Sequence, residues 1–91
     1  MRKFIITSDG EFKYGDVTMH KDLLGPSDTC IGGGFYEFDY VSNRLLLTGR
    51  SYDFGYPQWD DIEVLRLPEA LRGLAVLYEG QTVELPFEYI E

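Results

Sequence analysis

A strict alternation of aromatic and acidic side chains at residues 35–40 limits the folds open to this chain. Such alternation is typical of a strand that buries one face and exposes the other. The aromatic face carries Tyr36, Phe38 and Tyr40, and the acidic face carries Glu37 and Asp39. Three glycines at 32–34 favour a β-bulge, or a close approach of another backbone, where this strand begins. The centre of the chain is therefore predicted to be β-structure.

Turn residues divide the rest of the chain into further short β-favouring runs. Asp9-Gly10 supplies the positive φ of a tight hairpin turn, and Asn43 tolerates the left-handed backbone of a second turn. The contiguous leucines of 44–48 indicate burial on both faces and hence a central strand. Pro86 cannot donate to a ladder, which predicts that the last run is an edge strand. Strands are predicted at 3–7, 11–14, 35–40, 44–48, 74–78 and 82–89, with 17–19 either continuing the second or forming another.

Two segments carry short helical signals. Residues 68–73 begin with Pro68, carry an acid in the first turn and a base in the last, and end at Gly73. These features predict a short helix. Residues 21–24 fit one helical turn before the Gly-Pro pair that follows them.

Residues 62–67 fit two patterns. Apolar side chains three apart, from Trp59 to Leu65, favour a helix, whereas the alternation around Glu63 favours a strand. Because Pro68 disfavours helical backbone in the residue before it, we predict a strand at 62–67.

Together these elements predict a mainly β fold, at the margin of the α+β class, in a single globular domain spanning residues 1–91. One small antiparallel sheet of five to seven strands is expected, with one or two short helical segments. A parallel pair needs a crossover of about a dozen residues, usually helical, and no such helix is visible. A sandwich, a strongly coiled sheet and a small coiled barrel all remain open.

Acidic residues are concentrated in one part of the chain, and their excess limits the kinds of partner that can bind. The 91 residues include 16 acidic and 8 basic side chains, a formal net charge of -8. Residues 1–27 contain four of each, so residues 28–91, with twelve acids and four bases, hold the whole excess. Phosphate binding needs clustered Lys and Arg, so neither nucleic acid nor a membrane is expected as a partner. A basic protein fits this charge, and a homodimer is the other expectation because thin cores are often supplemented by oligomerisation.

Cys30 and His20 are the only cysteine and histidine, which excludes an internal disulfide and a four-ligand Cys/His zinc site within one chain. A lone thiol fits a reducing compartment, and the apolar run near the N-terminus is shorter than a secretory signal requires. The expected location is therefore the cytoplasm. The glycines at 32–34 match no nucleotide-binding motif, and neither a cofactor nor a metal site is predicted.

An enzymatic alternative uses these same residues. Cys30 could be a nucleophile and His20 its base, or nearby carboxylates could act as acid and base, in a small hydrolase or isomerase. No local motif accompanies them. The simpler interpretation is a small buried Cys30 and an exposed His20 in a polar turn.

The segment 50–63 is the best candidate for function because it combines aromatic rings with carboxylates. Tyr and Trp are enriched at recognition surfaces, where they bury a large area and keep a polar group. The alternative is that these rings close a thin core. The predicted binding residues are Tyr52, Asp53, Phe54, Tyr56, Trp59, Asp60 and Asp61. The predicted function is a non-catalytic protein-interaction or ligand-binding module, with an immunity-protein or antitoxin-type inhibitor of a basic partner as an alternative.

Overall fold

One open sheet of six strands runs through the molecule in the order β2-β1-β3-β4-β5-β6. The structure is a computed structural model that describes residues 2–51 and 54–85. The strands are β1 (Arg2–Thr7), β2 (Phe12–Asp16), β3 (Cys30–Asp39), β4 (Arg44–Thr48), β5 (Ala75–Tyr78) and β6 (Gln81–Val83). Neighbouring strands are antiparallel except β4 and β5. The prediction of a mainly β fold with a largely antiparallel sheet is confirmed.

Helical structure is confined to three short segments of the described chain. The α-helix α1 comprises Trp59–Glu63, and two 3₁₀ turns comprise His20–Leu23 and Glu69–Leu71. The 3₁₀ turns coincide with the helical signals at 21–24 and 68–73, so both predictions of short helical structure are confirmed. Each spans a single turn, as expected of segments too short to be stable without packing.

The strand register collects apolar side chains on one face of the sheet. Leu45 of β4 lies opposite Phe38 on one side and Val76 on the other, and Leu47 follows on the same face. The connection from β4 to β5 crosses this face and covers it with its own apolar side chains. The resulting core comprises Phe4, Ile6, Phe12, Tyr36, Leu45, Leu47, Ile62, Leu65, Leu67, Leu71, Val76, Tyr78 and Val83. The prediction that 44–48 is a central strand is confirmed, because β4 pairs with β3 and β5. The expected burial of both its faces is wrong, since Leu46 is only half-buried.

The opposite face is covered over β1 by the segment that contains the first 3₁₀ turn. Ile5 and Thr7 are completely or almost completely buried there, and the Lys3 ammonium donates to the carbonyl of Thr18. His20 lies in the same layer, 5 % exposed. β1 is therefore buried on both faces and is the most enclosed strand of the sheet.

The three glycines at the start of β3 lie where neighbouring backbones come closest. A Cβ on Gly34 would lie 1.8 Å from the carbonyl oxygen of Thr48, and one on Gly33 would lie 2.8 Å from that of Phe4. In the pairing of β1 with β3, Ile6 lies opposite Gly32 but Thr7 lies opposite Cys30. Ile31 therefore has no partner in β1 and forms a bulge in β3. The predicted bulge or close approach is confirmed, and both occur.

The expectation that no parallel pair forms is wrong. β5 lies parallel to β4, with Leu45 opposite Val76. The crossover occupies residues 49–74, and its described residues contain the short helix α1 and the 3₁₀ turn Glu69–Leu71. The long helical signal that usually marks such a connection is therefore missing from the described part of the crossover. The buried apolar residues of the crossover pack against the sheet, and most of them lie outside regular helix.

The predicted strand at 62–67 is also wrong. Residues 59–63 form α1, and Arg66 alone makes an isolated bridge, to Glu11. The apolar spacing from Trp59 to Leu65 outweighs the alternation around Glu63, because it buries Ile62 and Leu65 completely against the sheet. Pro68 affects only the residue immediately before it.

The final predicted strand, 82–89, is described only in part. β6 ends at Val83 and is an edge strand, as expected. Glu84 and Leu85 are described and lie outside β6, so the predicted strand is wrong at these two residues. Pro86, on which the edge prediction depended, and residues 87–89 lie outside the described residues.

Gly34→Ala should destabilise the protein by about 3 kcal/mol or more, because a Cβ overlaps the Thr48 carbonyl and the strands must separate. Urea unfolding followed by circular dichroism measures the change. Gly15→Ala in β2 is the matched control, since its Cβ would lie 3.4 Å from Leu23, an ordinary contact. We expect the control to change stability by no more than about 0.5 kcal/mol. Equal unfolding midpoints for the Gly34→Ala variant and the wild type would contradict this interpretation.

Candidate functional site

The segment 54–63 follows β4 and is fixed to the sheet at two points. The amide of Gly33 in β3 donates to the carbonyl of Gly55 over 3.2 Å. This hydrogen bond lies beyond Phe35 and Thr48, the last residue pair between β3 and β4. The hydroxyl of Tyr78, in β5, donates to the carbonyl of Pro57 over 2.8 Å. Pro57 is buried against Gly32, where a Cβ would lie 2.9 Å from its backbone. The segment therefore has a defined position although little of it is regular structure.

A second glycine contact and a carboxylate reinforce the Tyr78 anchor. A Cβ on Gly49 would lie 2.1 Å from the Tyr78 hydroxyl, so this position also requires glycine. The amide of Gly49 donates to Oε1 of Glu79 over 2.8 Å. Burial, and then the nearby Glu79 carboxylate, raise the pKa of Tyr78. The phenol therefore stays protonated and remains a hydrogen-bond donor.

The predicted aromatic residues divide between the interior and the surface. Phe54 is half-buried, whereas Tyr56 is 62 % exposed. Trp59 is 37 % exposed, and its ring centroid lies 6.1 Å from that of Tyr78 at an interplanar angle of 36°. Tyr56 therefore does not close the core, and Trp59 makes a tilted contact with the anchored Tyr78 ring while the smaller part of its surface is exposed. Tyr52 and Asp53 lie outside the described residues.

Two of the predicted carboxylates, Asp60 and Asp61, lie on α1 together with Glu63, which was not among the predicted binding residues. Asp60 and Glu63 are exposed, and Asp61 is half-buried. Oδ2 of Asp61 accepts a hydrogen bond from the amide of Gln58 over 3.1 Å. This bond gives a partner to one of the backbone amides at the start of α1 that have none within the helix. None of the ion pairs found among residues 2–51 and 54–85 involves these three acids. Asp60 and Glu63 therefore present negative charge to solvent near the exposed aromatic rings, without an ion-pair partner among the described residues.

His20 and Cys30 occupy different environments from those expected. The expectation of an exposed His20 is wrong, because Gly33 lets it pack against the sheet, where its Nε2 lies 2.8 Å from the carbonyl oxygen of Gly34. Cys30 is half-buried, and its Sγ donates to the carbonyl of Gly32 over 3.1 Å. Burial raises the pKa of the Cys30 thiol. The two side chains thus bond to separate carbonyls, and no hydrogen bond joins them in the described part of the chain, as a nucleophile and its base would require.

The described residues also bear on a metal site and on a membrane crossing. No group of three or more His, Cys, Asp or Glu side chains there is placed to hold a metal ion. None of the helical segments described has the length and apolar character that a membrane crossing demands.

Comparison with protein-family models, with curated proteins and with solved structures gives no match for this chain. Function must therefore be inferred from the geometry itself.

Sequence reasoning missed the residues that hold the segment in place. Tyr78 was expected only as part of an apolar strand, and Gly49 and Glu79 carried no signal. A tyrosine at the end of such a strand is a usable signal, because a buried hydroxyl needs a partner.

Tyr78→Phe should destabilise the protein by about 1–2 kcal/mol, because the Pro57 carbonyl loses its donor in a buried position. Hydrogen exchange at the Gly33 amide should accelerate as its bond to Gly55 opens. Tyr40→Phe is the control, since Tyr40 is 81 % exposed at the β3–β4 turn. Unchanged stability and exchange in Tyr78→Phe would show that the anchor does not hold the segment.

Iodoacetamide should modify Cys30 more slowly in the folded protein than in urea at pH 7. A raised pKa lowers the thiolate fraction, and the thiolate is the reactive form. The rate in the folded protein should keep rising at alkaline pH after the rate in urea has levelled off. Faster modification of the folded protein at pH 7 would indicate an activated cysteine and favour the enzymatic alternative.

Proposed function

We propose that this protein is a non-catalytic interaction module that binds a basic segment of a partner protein on the surface formed by residues 54–63. The observation that carries the proposal is the exposure of Tyr56 and Trp59 near carboxylates without an ion-pair partner among the described residues, on a segment fixed to the sheet.

The anchoring of the rings supports a recognition role. A ring that is already ordered loses little conformational freedom on binding, and such preorganisation strengthens affinity. Trp59 is supported from behind by Tyr78, which is itself bonded to Pro57. An exposed Trp or Tyr face also attracts Lys and Arg side chains through cation–π contact.

The local charge supports a basic partner. Residues 50–63 contain four acidic side chains and one basic side chain, Arg50. A surface of this sign accelerates encounters with a basic partner and repels nucleic acid. The lone thiol is consistent with a cytoplasmic setting.

An inhibitor of a basic protein, of the immunity-protein or antitoxin type, is a special form of the same proposal. In that form, occupation of the partner's basic surface by residues 54–63 blocks the surface through which the partner acts. Association of two copies of this chain is the other partner class that the sequence allows, and the like charge on residues 54–63 disfavours a self-contact through this segment.

Isothermal titration with acetylated, amidated hexalysine tests the proposed surface. Tyr56→Ala/Trp59→Ala should weaken binding about tenfold, the loss expected of aromatic hot spots. Asp60→Asn/Glu63→Gln should weaken it as well, and its effect should shrink at about 0.15 M salt, where exposed charges are screened.

The controls use matched changes elsewhere in the chain. Tyr40→Ala removes a more exposed aromatic ring, and Glu69→Gln/Glu84→Gln removes the same charge from exposed positions outside the segment. Both control proteins should bind hexalysine with nearly wild-type affinity. Equal losses in the controls and the site variants would reduce the interaction to net charge and refute a specific surface.

A further inference from the structure

A cleft of about 460 Å³ opens between the β1–β2 hairpin turn and the C-terminal end of α1. Its apolar surface comes from Ile31, at the bulge in β3, and from Val64, immediately after α1. Both side chains are exposed. Asp61 lines the same cleft, so one wall of the cleft belongs to the proposed binding segment.

The charged groups at the cleft are not equivalent. Nη2 of Arg66 donates to the backbone carbonyl of Asp9 over 2.8 Å and lies 3.5 Å from the Asp9 carboxylate. That carboxylate also accepts the Thr7 hydroxyl, a hydrogen bond that lowers the pKa of Asp9 and keeps it ionised. Asp9 and Arg66 therefore neutralise each other. Asp61 uses Oδ2 for the Gln58 amide and has no ion-pair partner within the described ranges. The net charge presented to a ligand is negative.

An apolar surface that ends at a carboxylate matches the chemistry of a lysine or arginine side chain. Such side chains lay their methylene stem along apolar groups and keep the charged end in contact with water or a counter-ion. We infer that this cleft is the subsite for one long basic side chain of the partner, with its stem on Ile31 and Val64 and its charge at Asp61. This inference rests on the proposed function and specifies which part of a basic segment is recognised.

The length of the stem provides a test that leaves charge unchanged. Hexalysine is compared, by titration at pH 6.5, with the same peptide made of 2,4-diaminobutyric acid, whose side chains carry the same charge on a stem two methylenes shorter. The wild-type protein should bind hexalysine about fivefold more tightly, as expected for partial burial of two methylenes.

Variants assign this preference to the cleft. Val64→Ser and Ile31→Thr should each reduce the preference for hexalysine towards unity while leaving binding of the shorter peptide nearly unchanged. Val41→Ser is the matched control, because Val41 is fully exposed at the β3–β4 turn, away from the cleft. Its preference should equal that of the wild type. Circular dichroism verifies that each variant is folded.

The outcomes separate the two proposals. Equal affinity for both peptides, or a preference that survives Val64→Ser and Ile31→Thr, would overturn the subsite. If binding still depended on Tyr56 and Trp59, the proposed function would stand. Binding of neither peptide would refute the proposed function and the subsite together.

Discussion

The close approach of backbones at the start of β3 is the constraint on which the rest of the molecule depends. Gly34 lies against β4, Gly33 against β1, and Gly32 against Pro57 of the crossover. Any side chain larger than hydrogen would push one of these three segments away. The stretch of residues 32–34 thus holds the two halves of the sheet and the 54–63 segment at fixed separations. These close approaches explain by packing why residues 32–34 are glycines.

The crossover that packs against these glycines contributes to both the core and the surface. The crossover leaves β4 and is tied to β3 by Gly55 and to β5 by Pro57. It then lays Ile62 and Leu65 across the core. The same short stretch therefore supplies buried leucine and isoleucine anchors and exposed aromatic and acidic side chains. A small domain with a thin core gains a shaped surface in this way without an additional element.

Much of the sheet is predictable because its signals are local. The alternation at 35–40, the positive φ of Gly10 and Asn43, and the leucines of 44–48 each depend on neighbouring residues only. The parallel pairing of β4 and β5 is not local. It depends on residues 49–74 folding back over the sheet with little regular structure, and no periodicity in that stretch reveals it. The helix at 59–63 has a local signal in the apolar spacing from Trp59 to Leu65, and the strand predicted at 62–67 is wrong because Pro68 restricts only Leu67.

The residue types of the candidate site could be predicted from the sequence, but the exposure and position of its side chains could not. Aromatic and acidic residues in 54–63 were recognised from the sequence, whereas their exposure depends on Tyr78 and Gly33, which lie 21 and 22 residues away from their partners. The burial of His20 depends in the same way on the space above Gly33. When a glycine distant in sequence determines whether a side chain is buried, the residues next to that side chain do not reveal its burial.

The position of the two anchors also determines when the surface comes into existence during folding. Gly33 is in β3 and Tyr78 is in β5, so the bonds to Gly55 and Pro57 join parts of the chain that are far apart in sequence. Closing contacts of such long range costs chain entropy, which the packing of the assembled sheet must offset. The parallel β4–β5 pair requires the same closure. A chain with an incomplete sheet therefore presents no ordered aromatic surface, and any partner that binds this surface selects and stabilises the fully assembled molecule.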